Sequence, residues 1–135
     1  MDLVDDAAIG RFCWIDLAAS SAARALDFYA GMFGWTAMPQ VANGGVFTRL
    51  AHDGRSVGSL YQLQRRLIDD GVPSHWTPYV RVADAAAALS RAVALGGRAV
   101  VRPFAVPGIA RIALVADAVG APIGLWQSLR RAADG

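Results

Sequence analysis

Residues 12–34 read FCWIDLAASSAARALDFYAGMFG, and the division of this stretch decides the fold. Phe12 to Leu17 alternates as a strand, with Cys13, Ile15 and Leu17 on one face and Phe12, Trp14 and Asp16 on the other. The face that carries Asp16 has to meet water, a ligand or a partner. Ser20 and Ser21 then offer side-chain oxygens to the first free amides of a helix that runs from Ala22 to about Phe33 and stops at Gly34. The chain therefore opens with a strand followed directly by a helix.

Outward from this stretch, apolar segments at Gly45 to Ala51 and Ser56 to Leu63 flank His52, Asp53 and Gly54, and the Asp-Gly pair signals a hairpin. The first half reads β, α, then a meander. Gln64 to Pro73 is polar and holds Gly71, so it reads as a connector. The pattern then restarts. Thr77 to Val82 alternates as a strand, Asp84 caps an alanine-rich helix ending near Leu95, and Gly96 and Gly97 stop it. Strand signals return at Arg98 to Arg102, Ile109 to Val115 and Pro122 to Gln127, with turns at Pro107, Gly108 and around Asp117 to Gly120. Overlaying the halves sets Leu17 on Val82, Gly34 near Gly96, Gly45 on Gly108, and Leu60, Tyr61, Gln62 on Leu125, Trp126, Gln127. The offset stays at about 62 to 65 residues, as duplication predicts.

A chain of 135 residues fits one domain, or two half-domains sharing a core. The hydrophobic fraction is 55% and the mean hydropathy +0.35, yet no apolar run approaches the ~20 residues a membrane helix needs. Four Trp, three Tyr and five Phe exceed what a small core absorbs, which points to a ligand cavity or a dimer contact. The net charge of +2 is small and the arginines are dispersed, Arg65, Arg66, Arg130 and Arg131 being the densest, so nucleic-acid binding is disfavoured. Cys13 is the single cysteine, which excludes an internal disulfide, and the acidic start Met1 to Asp6 is unlike a secretory signal. A soluble, cytoplasmic protein is expected.

The run Phe28, Tyr29, Phe33, Gly34, Trp35, the helix opened by Asp84 and closed by Gly96 and Gly97, and the Asp117 to Gly120 turn together resemble the vicinal oxygen chelate superfamily of glyoxalases, bleomycin-resistance proteins and extradiol dioxygenases. The resemblance covers roughly residues 11 to 128. It implies an α+β fold of two tandem βαβββ units, about 11–63 and 75–128, with a 64–74 connector and a polar C-terminal tail. The units would form a curled mixed sheet around a central cavity, helices outside. Strand alternation then places Cys13, Ile15, Leu17, Leu60, Val80, Val82, Ile123 and Leu125 under helices. It turns Trp14, Asp16, Ser59, Tyr61, Thr77, Tyr79, Arg81, Gly124 and Trp126 toward the cavity.

Metal-dependent relatives hold a divalent ion at four positions that fall here on Trp14, Ser59, Thr77 and Gly124. Indole and glycine offer no donor, so no metal and no other cofactor is expected. Asp16 and His75 lie two residues from the vacant positions and make a poor site. His52 reads as a solvated hairpin residue and Cys13 as an inert buried thiol. What remains is an aromatic cleft, Trp14, Tyr61, Tyr79 and Trp126, with Ser59 and Thr77 beside it and Asp16 and Arg81 to orient a ligand. The resemblance implies a metal-free homodimer that binds a small planar or hydrophobic organic molecule. The alternative is a metal-independent isomerase, cyclase or lyase with Asp16 as general acid or base and Tyr79 or Arg81 steadying an oxyanion. Lower readings are a metal-dependent lyase or dioxygenase and a structural partner with a closed cavity. The connector would serve as a lid.

Overall fold

A computed structural model describes residues 8–42 and 45–129. The expected polar tail, Arg130 and Arg131, and the acidic start lie outside the described residues. The elements run β1 Phe12–Ala19, α1 Ala22–Phe33, β2 Thr36–Ala42, β3 Gly45–His52, β4 Arg55–Gln62, α2 Arg65–Asp69, β5 His75–Arg81, α3 Ala85–Ala94, β6 Arg98–Val106, β7 Ala110–Ala116 and β8 Pro122–Ser128. Residues 15–77 form one compact unit; 8–14 with 78–129 form the other. No helix among the described residues is long and apolar enough to cross a membrane.

The first unit is a four-stranded sheet in which β4 pairs parallel with β1 and antiparallel with β3, and β3 pairs antiparallel with β2. The β3–β4 turn is carried by Asp53 and Gly54, both at positive φ (51° and 79°), the paired left-handed conformation that an Asp-Gly hairpin supplies. Strand β2 escapes the alternation pattern because it holds Pro39. It pairs with β3, and an edge position tolerates the missing N–H. Within the expected connector the chain forms the short helix α2.

Helix α1 lies on the face that presents Leu17, Ala19, Leu50 and Leu60. Ala22, Ala25, Leu26 and Tyr29 pack against those residues, joined by Trp35, Val57 and Trp76. The aromatic run noted in the sequence has a structural task here. The ring of Tyr29 stacks on Phe33 and Trp35 and meets Trp76 edge-on, and Trp76 Nε1 donates to the Tyr29 hydroxyl at 3.2 Å. Gly34 closes α1 in the left-handed conformation (φ 72°), its N–H reaching Ala30 O.

The second unit repeats the plan: β8 pairs parallel with β5 and antiparallel with β7, and β7 pairs with β6. Under α3, Ala113, Val115 and Leu125 pack with Val82, Ala88, Leu89, Ala92 and Ile123. Register aligns the halves more closely than composition does. Leu17 pairs with Leu60 and Val80 with Leu125, so Leu17 corresponds to Val80 and not to Val82. The shift arises because β6 is longer than β2 and carries register irregularities around Val101 and Phe104.

One tie is made twice. Gln62, at the end of β4, accepts from the first helical amide Ala22 N at 2.9 Å and donates to Ser20 O at 2.8 Å. Gln127, at the matching point of β8, accepts from Ala85 N at 2.9 Å. The caps Ser21 and Asp84 satisfy the next free amides, Arg24 N and Ala87 N. Each last strand thus holds the start of its helix over the first strand. Replacing either glutamine by alanine is expected to lower unfolding free energy by about 1 kcal/mol in urea titrations. Gln62→Ala is expected to be the costlier, because Gln62 also donates to Leu63 O at 3.2 Å.

Candidate functional site

In the first unit the face opposite α1 carries Asp16 on β1 and Ser59 and Tyr61 on β4. Parallel pairing sets Asp16 beside Ser59, and the Ser59 hydroxyl donates to Asp16 Oδ1 at 2.7 Å. β3 adds Arg49, the register partner of Ser59 from the other side, so one row across the sheet reads Arg49, Ser59, Asp16. Arg49 escapes the sequence reading, although its alternation with Leu50 carries the signal: Leu50 is core, so its neighbour faces away from α1.

Asp16 keeps a minor part of its surface open while protein surrounds most of it. Burial pushes its carboxyl up to about 7, and the hydrogen bond from Ser59, which favours the anion, only partly opposes this. Burial also raises the Tyr61 phenol above its ordinary value, and the nearby Asp16 charge adds to the effect, so Tyr61 stays a neutral donor. The pairing needs the strands close together. A Cβ on Gly58 would stand 2.7 Å from Ile15 O on β1, so only glycine fits there. Thr77 is buried in this unit too, at the start of β5.

The remaining expected site residues fall in the second unit. Trp14, Tyr79 and Trp126 pack with Cys13 and Ala110; the indoles of Trp14 and Trp126 lie 5.7 Å apart at 38°, and Tyr79 meets Trp126 edge-on at 6.1 Å. All three rings are 4–7% exposed. Gly124 is the register partner of Tyr79, and the Tyr79 ring fills the place that a Cβ on residue 124 would take. Cys13 corrects the face assignment in part: it was expected beneath a helix, but the cluster it joins contains no helical residue. Its thiol is pushed up to about 11 by burial, which outweighs the opposing Arg81 charge, so it stays protonated. Arg81 itself is half-buried, and its backbone bonds to residues 10 and 11.

Residues 14, 59 and 124, which the resemblance assigns to a divalent ion in metal-dependent relatives, carry no imidazole, carboxylate or thiolate. The Ser59 hydroxyl is engaged with Asp16, the residue 124 position is filled by the Tyr79 ring, and Trp14 supplies only indole. His75 Nδ1 is engaged with Pro73 O at 2.8 Å. Among the described residues no three His, Cys, Asp or Glu side chains cluster as a ligand set.

The two units therefore differ most on the face away from their helices. Asp16, Ser59 and Tyr61 in the first correspond by register to Tyr79, Gly124 and Trp126 in the second. Leucine and glutamine persist at the core and capping positions of both.

No family model matches the chain. The anthracycline biosynthesis protein DnrV of Streptomyces peucetius is 34% identical over an alignment covering 87% of this chain and 47% of that protein. The glyoxylase-like protein CFP32 of Mycobacterium tuberculosis is 29% identical over 87% of this chain and 45% of its own length. The chain spans about half the length of the curated relatives it matches. The crystal structure of methylmalonyl-CoA epimerase from Mycobacterium tuberculosis superposes with a TM-score of 0.64 at 20% identity, covering 100% of this chain and 95% of that one. These relatives and the shared fold indicate the vicinal oxygen chelate superfamily.

Asp16 also has a stability signature. The folded-state pKa of Asp16 lies above its ordinary 3.8, at about 7. Between these values the native state binds more protons than the unfolded chain, so Asp16 makes stability fall as pH rises from about 4 to about 7. Asp16→Asn is expected to remove this decline from urea midpoints measured across that range. An unchanged slope would contradict the assignment.

Proposed function

We propose that this chain binds a small planar organic molecule without a metal and that Asp16 exchanges a proton with it. The observation that supports the reading most is the Asp16–Ser59 pair: a carboxyl titrating at about 7, fixed by a hydrogen bond, beside a neutral phenol. A surface aspartate has no such setting, and core packing alone does not call for one. Tyr61, on the strand beside Asp16 and on the same face, supplies an aromatic ring of the kind that stacks on polycyclic molecules. DnrV is named for anthracycline biosynthesis, and an anthracycline is a flat polycyclic quinone.

The chemistry that fits is keto–enol exchange. The Asp16 carboxylate takes a proton from carbon next to a ketone or conjugated with it through a ring, the electron pair moves onto the carbonyl oxygen, and the Tyr61 hydroxyl donates a hydrogen bond to the resulting enolate. Returning the proton to the same or a conjugated carbon restores the carboxylate and gives exchange or isomerisation. This assigns to Tyr61 the oxyanion role that the sequence had suggested for Tyr79 or Arg81. The protein is further proposed to work as a homodimer. Helix α1 buries none of its residues, and Phe28 and Met32 are each 59% exposed on it, an apolar surface that a second copy would cover.

Simple sequestration, in which no bond changes, is the second reading, favoured by the hydrogen-bonded Asp16–Ser59 pair, which orients a ligand as well as it moves a proton. Anthrone, an enolisable tricyclic ketone, separates the two. Wild-type protein is expected to speed deuterium uptake at its methylene carbon in heavy water, and Asp16→Asn to lose at least about tenfold of that rate while binding persists. Equal exchange by both proteins would remove Asp16 from the chemistry and leave sequestration.

A further inference from the structure

We infer that the indole N–H of Trp126 is the donor that recognises a carbonyl or quinone oxygen on a planar molecule bound at the second unit. This rests on the planar-ligand reading above. Trp126 is 7% exposed, and its Nε1 is buried with no hydrogen-bond partner among the described residues. A buried N–H left unpaired destabilises the fold, and phenylalanine would fill much of the same volume without that cost. The contrast within the chain is direct: the indole of Trp76 does have a partner, the Tyr29 hydroxyl.

The duplication points the same way. At the matching position of the first unit stands Tyr61, also an aromatic ring with a donor at its tip. Both last strands thus carry a ring that ends in a hydrogen-bond donor, on the face turned from the helix. Around Trp126, Cys13, Ala110, Ile112 and Leu114 are apolar or neutral, and Arg81, its register partner on β5, brings a positive charge that reaches Cys13, so the setting favours an oxygen acceptor that carries partial negative charge. Gly124 carries no side chain beside Trp126, and the Tyr79 ring takes the place that a Cβ there would fill.

Two soluble probes of the same shape test the inference by calorimetry: anthraquinone-2-sulfonate, which carries ring carbonyls, and anthracene-2-sulfonate, which does not. Wild-type protein is expected to bind the quinone about tenfold more tightly, and Trp126→Phe to bind both equally, the size of effect one buried hydrogen bond confers. In the 1H–15N spectrum of the wild-type protein the Trp126 indole cross-peak is expected to move downfield with the quinone only, a readout independent of how the variant folds. Binding of both probes by the wild type without preference, or a preference that survives Trp126→Phe, would overturn the inference and leave the planar-ligand reading in place. If the wild type binds neither probe, the planar-ligand reading fails and this inference fails with it.

Discussion

Each half of this protein depends on the parallel pairing of its first strand with its last. Chain connectivity does not impose that pairing, since a helix and two further strands intervene. The closure is secured at one point, where the glutamine ending the last strand reaches the first free amide of the helix that follows the first strand. The tie satisfies a helix terminus and fixes strand register together, and register decides which side chains meet the helix and which turn away. A two-residue insertion in β6 shifts the sequence alignment of the halves, but not the pairing of Val80 with Leu125.

With the frame secured twice, the outward faces are free to diverge. In the first half the row across the sheet is ionic and hydroxylic, Arg49, Ser59 and Asp16. In the second half the equivalent positions hold a tyrosine ring, a glycine and a tryptophan, with Ile112 and Leu114 opposite Trp126 and Gly124 on β7. Burial then does different chemistry on the two faces. In the first it pushes a carboxyl up to about 7; in the second it leaves an indole N–H without an acceptor among the described residues.

Much of this was legible from single residues. Ser21 and Asp84 marked the helix starts, Gly34 an end, and Asp53-Gly54 a hairpin, because each reflects a local backbone requirement that few residue types meet. The superfamily was legible from the order of those signals. Strand β2 was not, because Pro39 and an edge position leave no alternation to read. Nor was the task of Trp35 and Trp76, which pack around Tyr29 beside α1 and contribute no cleft surface, since composition counts aromatic rings without saying which face they take. Cys13 shows the limit of alternation, joining a cluster without helical residues although its strand neighbours were assigned in sequence by turns. The partnership of Asp16 with Ser59 required register, a property of two distant segments that neither contains alone.

The central claim is that protein surroundings, and not solvent, set the protonation of Asp16. Carbon-13 NMR titration of the Asp16 side-chain carboxyl reports this directly. The account predicts a midpoint at about 7; a midpoint at the ordinary 3.8 would contradict it.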